Sequence, residues 1–378
     1  DWSSDVCSSD LDPFTIHQDE YKQAYARRGH SAAEVLVAQA VGKSAPAKPA
    51  AIDVFNTSSW DRNEVVMIEI HAAWSDVSMR NAEGQPVAVQ HLADGKLAFR
   101  AASVPALAAA RFTLSKERIQ ATGSAYADAK AMTIGNELVQ LKIDPESGAV
   151  VSLRRKGIDA DLVNPGDDGN RGLDDYLYIL ERNSEENRAR QSGDVVATVV
   201  DGGPLVARLR IESPAPNCKT LVREITVFDG SDEIVVENRM DKIMERKPEG
   251  TFFGFPFNVP GGQWRIDVPW AVVRPELDQL PGANRNYYCV QRWCDLSNND
   301  FGVTWVTLDA NMMQFAPIRY TPAWGLEPWR TEIAPGGTLY SWVCNNHWET
   351  NYKAGQEGPL TFRYVLRPHV GQDRKSVV

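Results

Sequence analysis

From residue 51 onward, the apolar residues of this chain fall at every second position, in short runs closed by Gly, Pro, Asn or Asp. That period matches the pleat of a β-strand, which sends successive side chains to opposite faces. Leu138-Val139-Gln140-Leu141-Lys142-Ile143 alternates cleanly, Asp144-Pro145-Glu146-Ser147-Gly148 supplies a turn, and Ala149–Leu153 resumes the strand pattern. Val65–Ile70, Val195–Val200, Leu205–Ile211, Leu221–Phe228, Glu233–Glu237, Val303–Leu308, Leu339–Val343 and Leu360–Leu366 repeat it. Strands at this spacing, with turns between them, predict a mainly β chain of β-sandwich or super-β-sandwich domains. The one helical pattern lies N-terminal, over residues 19–42, where Ala24, Ala32, Val35, Leu36 and Ala40 favour or line a helix. Gly29 is expected to divide it into two short helices, with Ser31 as an N-cap. Lys43–Ala50 carries two prolines at Pro-x2-Pro spacing and reads as a stiff linker. The expected units are a helical end at 12–45, a small β domain at 51–120 and a large β-sandwich at 125–372.

The two ends read differently from the rest. Asp1–Leu11 repeats Ser-Ser-Asp and lacks the basic start and apolar core of a signal peptide. It resembles one reading frame of a common short-read sequencing adapter, and Asp373–Val378 resembles the partner adapter. Residues 1–11 and 373–378 are therefore expected to be artefactual tails on an internal piece of a longer gene.

Composition removes several classes of function. Acidic residues outnumber basic ones, 50 to 40, for a net charge of −10, which argues against a nucleic-acid partner. No run reaches the roughly 18–20 apolar residues of a membrane span. Apart from Cys7 in the tail, Cys218, Cys289, Cys294 and Cys344 are too few for a disulfide framework. Cys289 and Cys294 lack the Cys-x2-Cys pairs of a zinc knuckle, so buried free thiols are expected. Neither a glycine-rich dinucleotide fingerprint, nor a P-loop, nor a Gly-x-Ser-x-Gly elbow occurs. His17-Gln18-Asp19 is a His-x-Asp triplet, but its polar setting before a helix suits a solvated loop better than a pair of metal ligands.

Three segments combine aromatic and polar side chains in a way that suits sugar contact, where ring faces stack and amides both donate and accept. Asn345–Tyr352 follows a strand and holds His347, Trp348 and Asn351. Asp278–Tyr288 ends in Asn286-Tyr287-Tyr288. In Asp174–Tyr178, alternation puts Tyr176 and Tyr178 on one face. Each also has a plain reading, as a structural turn, a loop entering a strand, and a packed phenol pair.

Several of these segments, in order along the chain, resemble the C-terminal half of glycoside hydrolase family 38, the α-mannosidases. Val54-Phe55-Asn56-Thr57-Ser58-Ser59-Trp60-Asp61-Arg62 resembles the entry into that family's β region. Gly135-Asn136-Glu137, then Ile143-Asp144, Gly148 and Ser152-Leu153, resembles its next signature. Asn286-Tyr287-Tyr288 and Asn345–Tyr352 with Gly358-Pro359-Leu360 resemble later segments of bacterial members. The resemblance implies an N-terminal catalytic domain, a three-helix bundle and then β-sandwich domains, of which this chain matches the later part. It implies retaining hydrolysis of α-mannosides, with zinc and the nucleophilic Asp in the N-terminal domain and without counterparts here. The fragment alone is then expected to be inactive, with the missing catalytic domain as its partner. Substrate contact would fall to Tyr176, the best match to a family tyrosine that reaches the sugar, and to Tyr287, Tyr288, His347, Trp348 and Asn351. The alternatives are a non-catalytic carbohydrate-binding β-sandwich and a self-contained β-sandwich hydrolase or lyase.

Overall fold

The structure, a computed structural model, describes residues 13–41, 50–69, 77–117, 119–181, 187–191, 193–319, 329–347 and 355–371. The adapter-like tails, most of the expected linker, Trp348 and Asn351 lie outside the described residues. The chain divides into two compact units, residues 1–122 with 349–355, and residues 123–348 with 356–378.

In the first unit, Pro13–Val41 is a single 29-residue helix. Gly29 does not divide it, because one glycine costs a helix interior only about 1 kcal/mol. His17 and Asp19 thus sit on the helix and not on a loop, and Asp19 accepts a hydrogen bond from Gln23 Nε2 at 2.8 Å. No residue of the helix is buried, and Phe14 and Leu36 stand about two-thirds exposed, at 66% and 65%. The β part of the unit has a four-stranded sheet in the order Ala51–Asn56, Ala108–Ser115, Ser78–Arg80, Pro86–Val87 and a three-stranded one in the order Arg62–Glu69, Lys96–Val104, Val89–His91. Met79, Leu97, Phe99, Ala101, Val104 and Phe112 form its core, with Phe99 edge-on to Phe112 at 5.0 Å. Asn56 closes one end of this core. Its amide donates to the carbonyls of Trp60, Val104 and Pro105, and its Oδ1 accepts from Ser58 N.

The second unit is antiparallel throughout. A nine-stranded sheet runs Val196–Gly202, Val206–Ala215, Cys218–Phe228, Ile234–Lys242, Gly358–Val370, Phe301–Thr307, Trp293–Ser297, Gln263–Val268, Ala271–Val273. A six-stranded sheet runs Arg188–Arg190, Asp175–Leu180, Glu249–Pro256, Thr338–Asn345, Met312–Phe315, Tyr288–Cys289. A four-stranded sheet runs Val150–Arg155, Val139–Ile143, Thr133–Gly135, Tyr126–Asp128. The main core joins them through rings: Tyr364 lies 5.1 Å from Phe255 and 5.5 Å from Trp305, and donates its hydroxyl to Ser341 Oγ at 2.9 Å. The expected turn at 144–148 is present. Asp144 Oδ2 accepts from Ser147 N and Oγ, and Gly148 takes the left-handed backbone, φ +68, that ends it.

Several polar groups inside this core are paired. Lys242 and Glu249 form a buried salt bridge that Tyr178 Oη and Asn217 Nδ2 complete by donating to Glu249 Oε2. All four described cysteines are free thiols, three buried and one, Cys289, exposed against expectation. Cys289 points outward because it follows the buried Tyr288 on a two-residue strand.

Candidate functional site: the outer face of the six-stranded sheet

Strand alternation sorts the six-stranded sheet into two ring-bearing faces. On Asp175–Leu180, Tyr176 and Tyr178 point into the main core, as their spacing predicts, while Leu177 and Ile179 point outward. On Glu249–Pro256, Phe253 and Phe255 join the core and Phe252 faces out. On Thr338–Asn345, Leu339 joins the core and Tyr340 and Trp342 face out. The outer cluster is completed by Ile318, with Tyr287, Met312 and Ala316 packed on it.

Trp342 is the hub of this face. Phe252 stacks on it with centroids 5.4 Å apart and planes 20° apart. Tyr287 meets it edge-on at 6.1 Å, and the His347 ring lies tilted at 5.9 Å. Two residues expected from separate segments, Tyr287 and His347, are thereby brought to one indole. Trp342 itself was not singled out in the sequence, because Leu339–Val343 reads there as an ordinary strand. Its neighbours Tyr287 and His347, at a strand entry and a strand exit, carried the only signal. Burial raises the Tyr287 phenol above its ordinary pKa, so its hydroxyl stays protonated and able to donate.

One end of the face is polar and tightly bonded. Asn170 Nδ2 donates to Tyr340 Oη at 2.7 Å, and Tyr340 Oη donates to Asp168 Oδ2 at 2.7 Å. Burial, then the charge of Asp168, pushes the Tyr340 phenol well up. The fully buried Asp175 is gripped by Arg171 Nη2 at 2.6 Å and Arg190 Nη1 at 2.7 Å, and Arg190 also reaches Asn170 Oδ1 at 3.2 Å. Gly254 makes room for this end, since a Cβ there would lie 2.2 Å from Asn170 Oδ1. Asp168 also pairs with Arg188 at 3.5 Å. Carboxylates so engaged anchor structure and are poor candidates for the acid and nucleophile of a glycosidase.

The remaining expected residues fall elsewhere. Tyr176 is wholly buried, donates its hydroxyl to Pro216 O at 2.7 Å and lies 3.3 Å from Cys218 Sγ. It therefore presents nothing to a ligand in this structure. Tyr288 also packs inward, against Phe315 at 5.4 Å, and donates to Gln279 Oε1 at 3.0 Å; burial pushes its phenol up to about 12. The physical reason is the same for both. In a sheet covered on both sides, alternation separates two buried faces and does not single out the one that meets solvent.

A second group has the residue types of a nucleophilic triad but not its order. Ser297 Oγ donates to Asp295 Oδ2 at 2.6 Å, and His369 Nε2 lies 2.9 Å from Asp295 Oδ1. The carboxylate stands between hydroxyl and imidazole, so the imidazole is not placed to take the serine proton. Among the described residues, no three His, Cys, Asp or Glu side chains gather as a metal would need, and these residues do not fit a zinc ion.

Antiparallel sheets closed on a ring-filled core, with a second aromatic cluster outside it, make the second unit a large β-sandwich. Residues 134–311 match the model of the glycosyl hydrolases family 38 C-terminal domain. The fold is shared with an α-mannosidase from Enterococcus faecalis V583, at TM-score 0.60 and 15% identity, over 87% of this chain and 44% of that one. A protein in glycosyl hydrolase family 38 from Enterococcus faecalis gives TM-score 0.61 and 14% identity, over 86% and 45% of the two chains. This chain therefore spans less than half the length of either. No curated protein matches it.

Proposed function

We propose that this chain is the C-terminal β region of a retaining α-mannosidase and is inactive by itself. It would supply scaffold and one wall of the sugar site, while the nucleophile and zinc ligands belong to the N-terminal catalytic domain. The match to the family 38 C-terminal domain over residues 134–311 carries this reading. The outer cluster fits the scaffold part of this reading: Phe252 and Tyr287 pack on Trp342, 3% exposed, with the His347 ring, 8% exposed, beside it. The test is an aryl α-mannoside assay of the purified chain with and without added zinc. No turnover is expected under either condition. Turnover that a chelator abolishes would sink the claim of inactivity and place a complete active site in this chain.

A further inference from the structure

An edge strand presents unused backbone N–H and C=O groups to any neighbour, and proteins blunt such edges by shortening or charging them. Among the described sheets, the edges Pro86–Val87, Val89–His91, Tyr126–Asp128, Ala271–Val273 and Tyr288–Cys289 are two or three residues long. The edges Ala51–Asn56, Arg62–Glu69, Val150–Arg155 and Arg188–Arg190 each carry charged side chains. Val196–Gly202 does neither. It closes one side of the nine-stranded sheet with seven residues, and its one charged side chain, Asp201, is buried and paired with Arg208. A bulge at Val200 turns the end of the strand, but Val196–Val199 keep an unbroken register with Glu212, Ile211, Arg210 and Leu209. Val196 and Val199 are left exposed along this edge, at 57% and 36%. Ala197 shares the core face with Ile211, while Val196 and Thr198 share the outer face with Glu212 and Arg210.

We propose that Val195–Val199 pairs antiparallel with the same segment of a second copy of this chain, about a two-fold axis at Ala197. A two-fold contact uses one patch twice, so the patch must complement itself. Centring on Ala197 sets Val196 opposite Thr198 of the second copy and Val195 opposite its Val199. On the outer face each row then runs Glu212, Val196, Thr198, Arg210, with the first pair from one copy and the second pair from the other. Opposite charges from the two copies thus approach over two small side chains. Glu212 is exposed and enters no salt bridge among the described residues, so it is free to serve this row. On the inner face apolar side chains meet apolar ones, and Asp194 falls opposite Val200, so no like charges face each other. The complement that the edge calls for is supplied by the chain itself, which makes a second copy the occupant. The inference concerns assembly and does not depend on the function proposed above.

Sedimentation velocity on the purified full chain, from about 1 to about 300 μM, tests it. A reversible dimer with a Kd of roughly 10–100 μM is expected, as suits a contact of a few backbone hydrogen bonds and small side chains. Thr198→Lys adds the charge that the edge lacks, and Glu212→Lys sets a like charge toward Arg210 of the second copy. Each should weaken the dimer by about tenfold or more with unchanged circular dichroism, since both positions are exposed. Val272→Lys, on the three-residue edge at the far side of the same sheet, should leave the dimer unaltered. A chain that stays monomeric throughout, a dimer that survives both Thr198→Lys and Glu212→Lys, or a dimer lost in Val272→Lys alone would each overturn the proposal.

Discussion

Asn136 shows how a motif residue earns its place without touching a substrate. Its Nδ2 donates to Phe228 O at 2.6 Å and Ser231 O at 2.7 Å, and its Oδ1 accepts from Leu138 N and Val139 N. Asn136→Ala takes a partner from two backbone carbonyls and two amides, and a loss of roughly 2–4 kcal/mol is expected in urea unfolding. Asp174 makes a different residue-scale prediction. Burial raises its carboxyl from 3.8 to about 7, partly opposed by the Arg223 charge and the Asn238 hydrogen bond at 2.6 Å. Between these two values the folded chain keeps a proton that the unfolded chain has released, so stability falls as pH rises through that window. Asp174→Asn removes the proton uptake. Its stability should fall less than that of the unmodified chain between about pH 4 and pH 7, by an amount on the order of a few kcal/mol. Parallel curves for the two proteins would show that Asp174 does not titrate there. Residue types were legible at this scale, but roles were not. Asn56 and Asn136 were recognisable in motifs, yet their work as turn staples depends on carbonyls distant in sequence, such as Val104 and Phe228.

At the scale of the element, alternation was readable wherever one face met water. Val139–Ile143 buries every second residue and was found from its pattern. Glu249–Pro256 is buried along its whole length, and its Phe-Phe-Gly-Phe-Pro run shows no alternation to find. That strand separates the main core from the outer ring cluster, so Gly254, between its rings, is sensitive. Gly254→Ala would drive a methyl into Asn170 and the Tyr340 ring, with Cβ distances of 2.2 and 3.1 Å. A loss of about 1–3 kcal/mol is expected, together with a change in near-ultraviolet circular dichroism as the Tyr340 environment shifts. The unbroken Pro13–Val41 helix is hidden in the sequence for the opposite reason: the helix-forming residues on both sides outweigh the local breaking tendency of Gly29.

At the scale of the whole molecule, the two units differ in how much they bury. The first rests on six fully packed apolar residues, whereas the second has a core extending through all three of its sheets. Small cores are marginal, and local opening follows buried contact. Hydrogen exchange should therefore lose protection over Lys96–Val104 at lower denaturant than over Phe301–Thr307; simultaneous loss would mean that the units unfold as one. The mainly β architecture was legible because turn residues punctuate the whole chain. The candidate site was legible only in part, since Tyr287 and His347 are 60 positions apart and what unites them is an indole on another strand. The exposed thiol adjoining Tyr287 has a practical consequence. Cys289 is the one described cysteine open to solvent. With Cys7 changed to serine, a maleimide fluorophore would attach at this natural position and give the second unit an optical probe without any engineered cysteine.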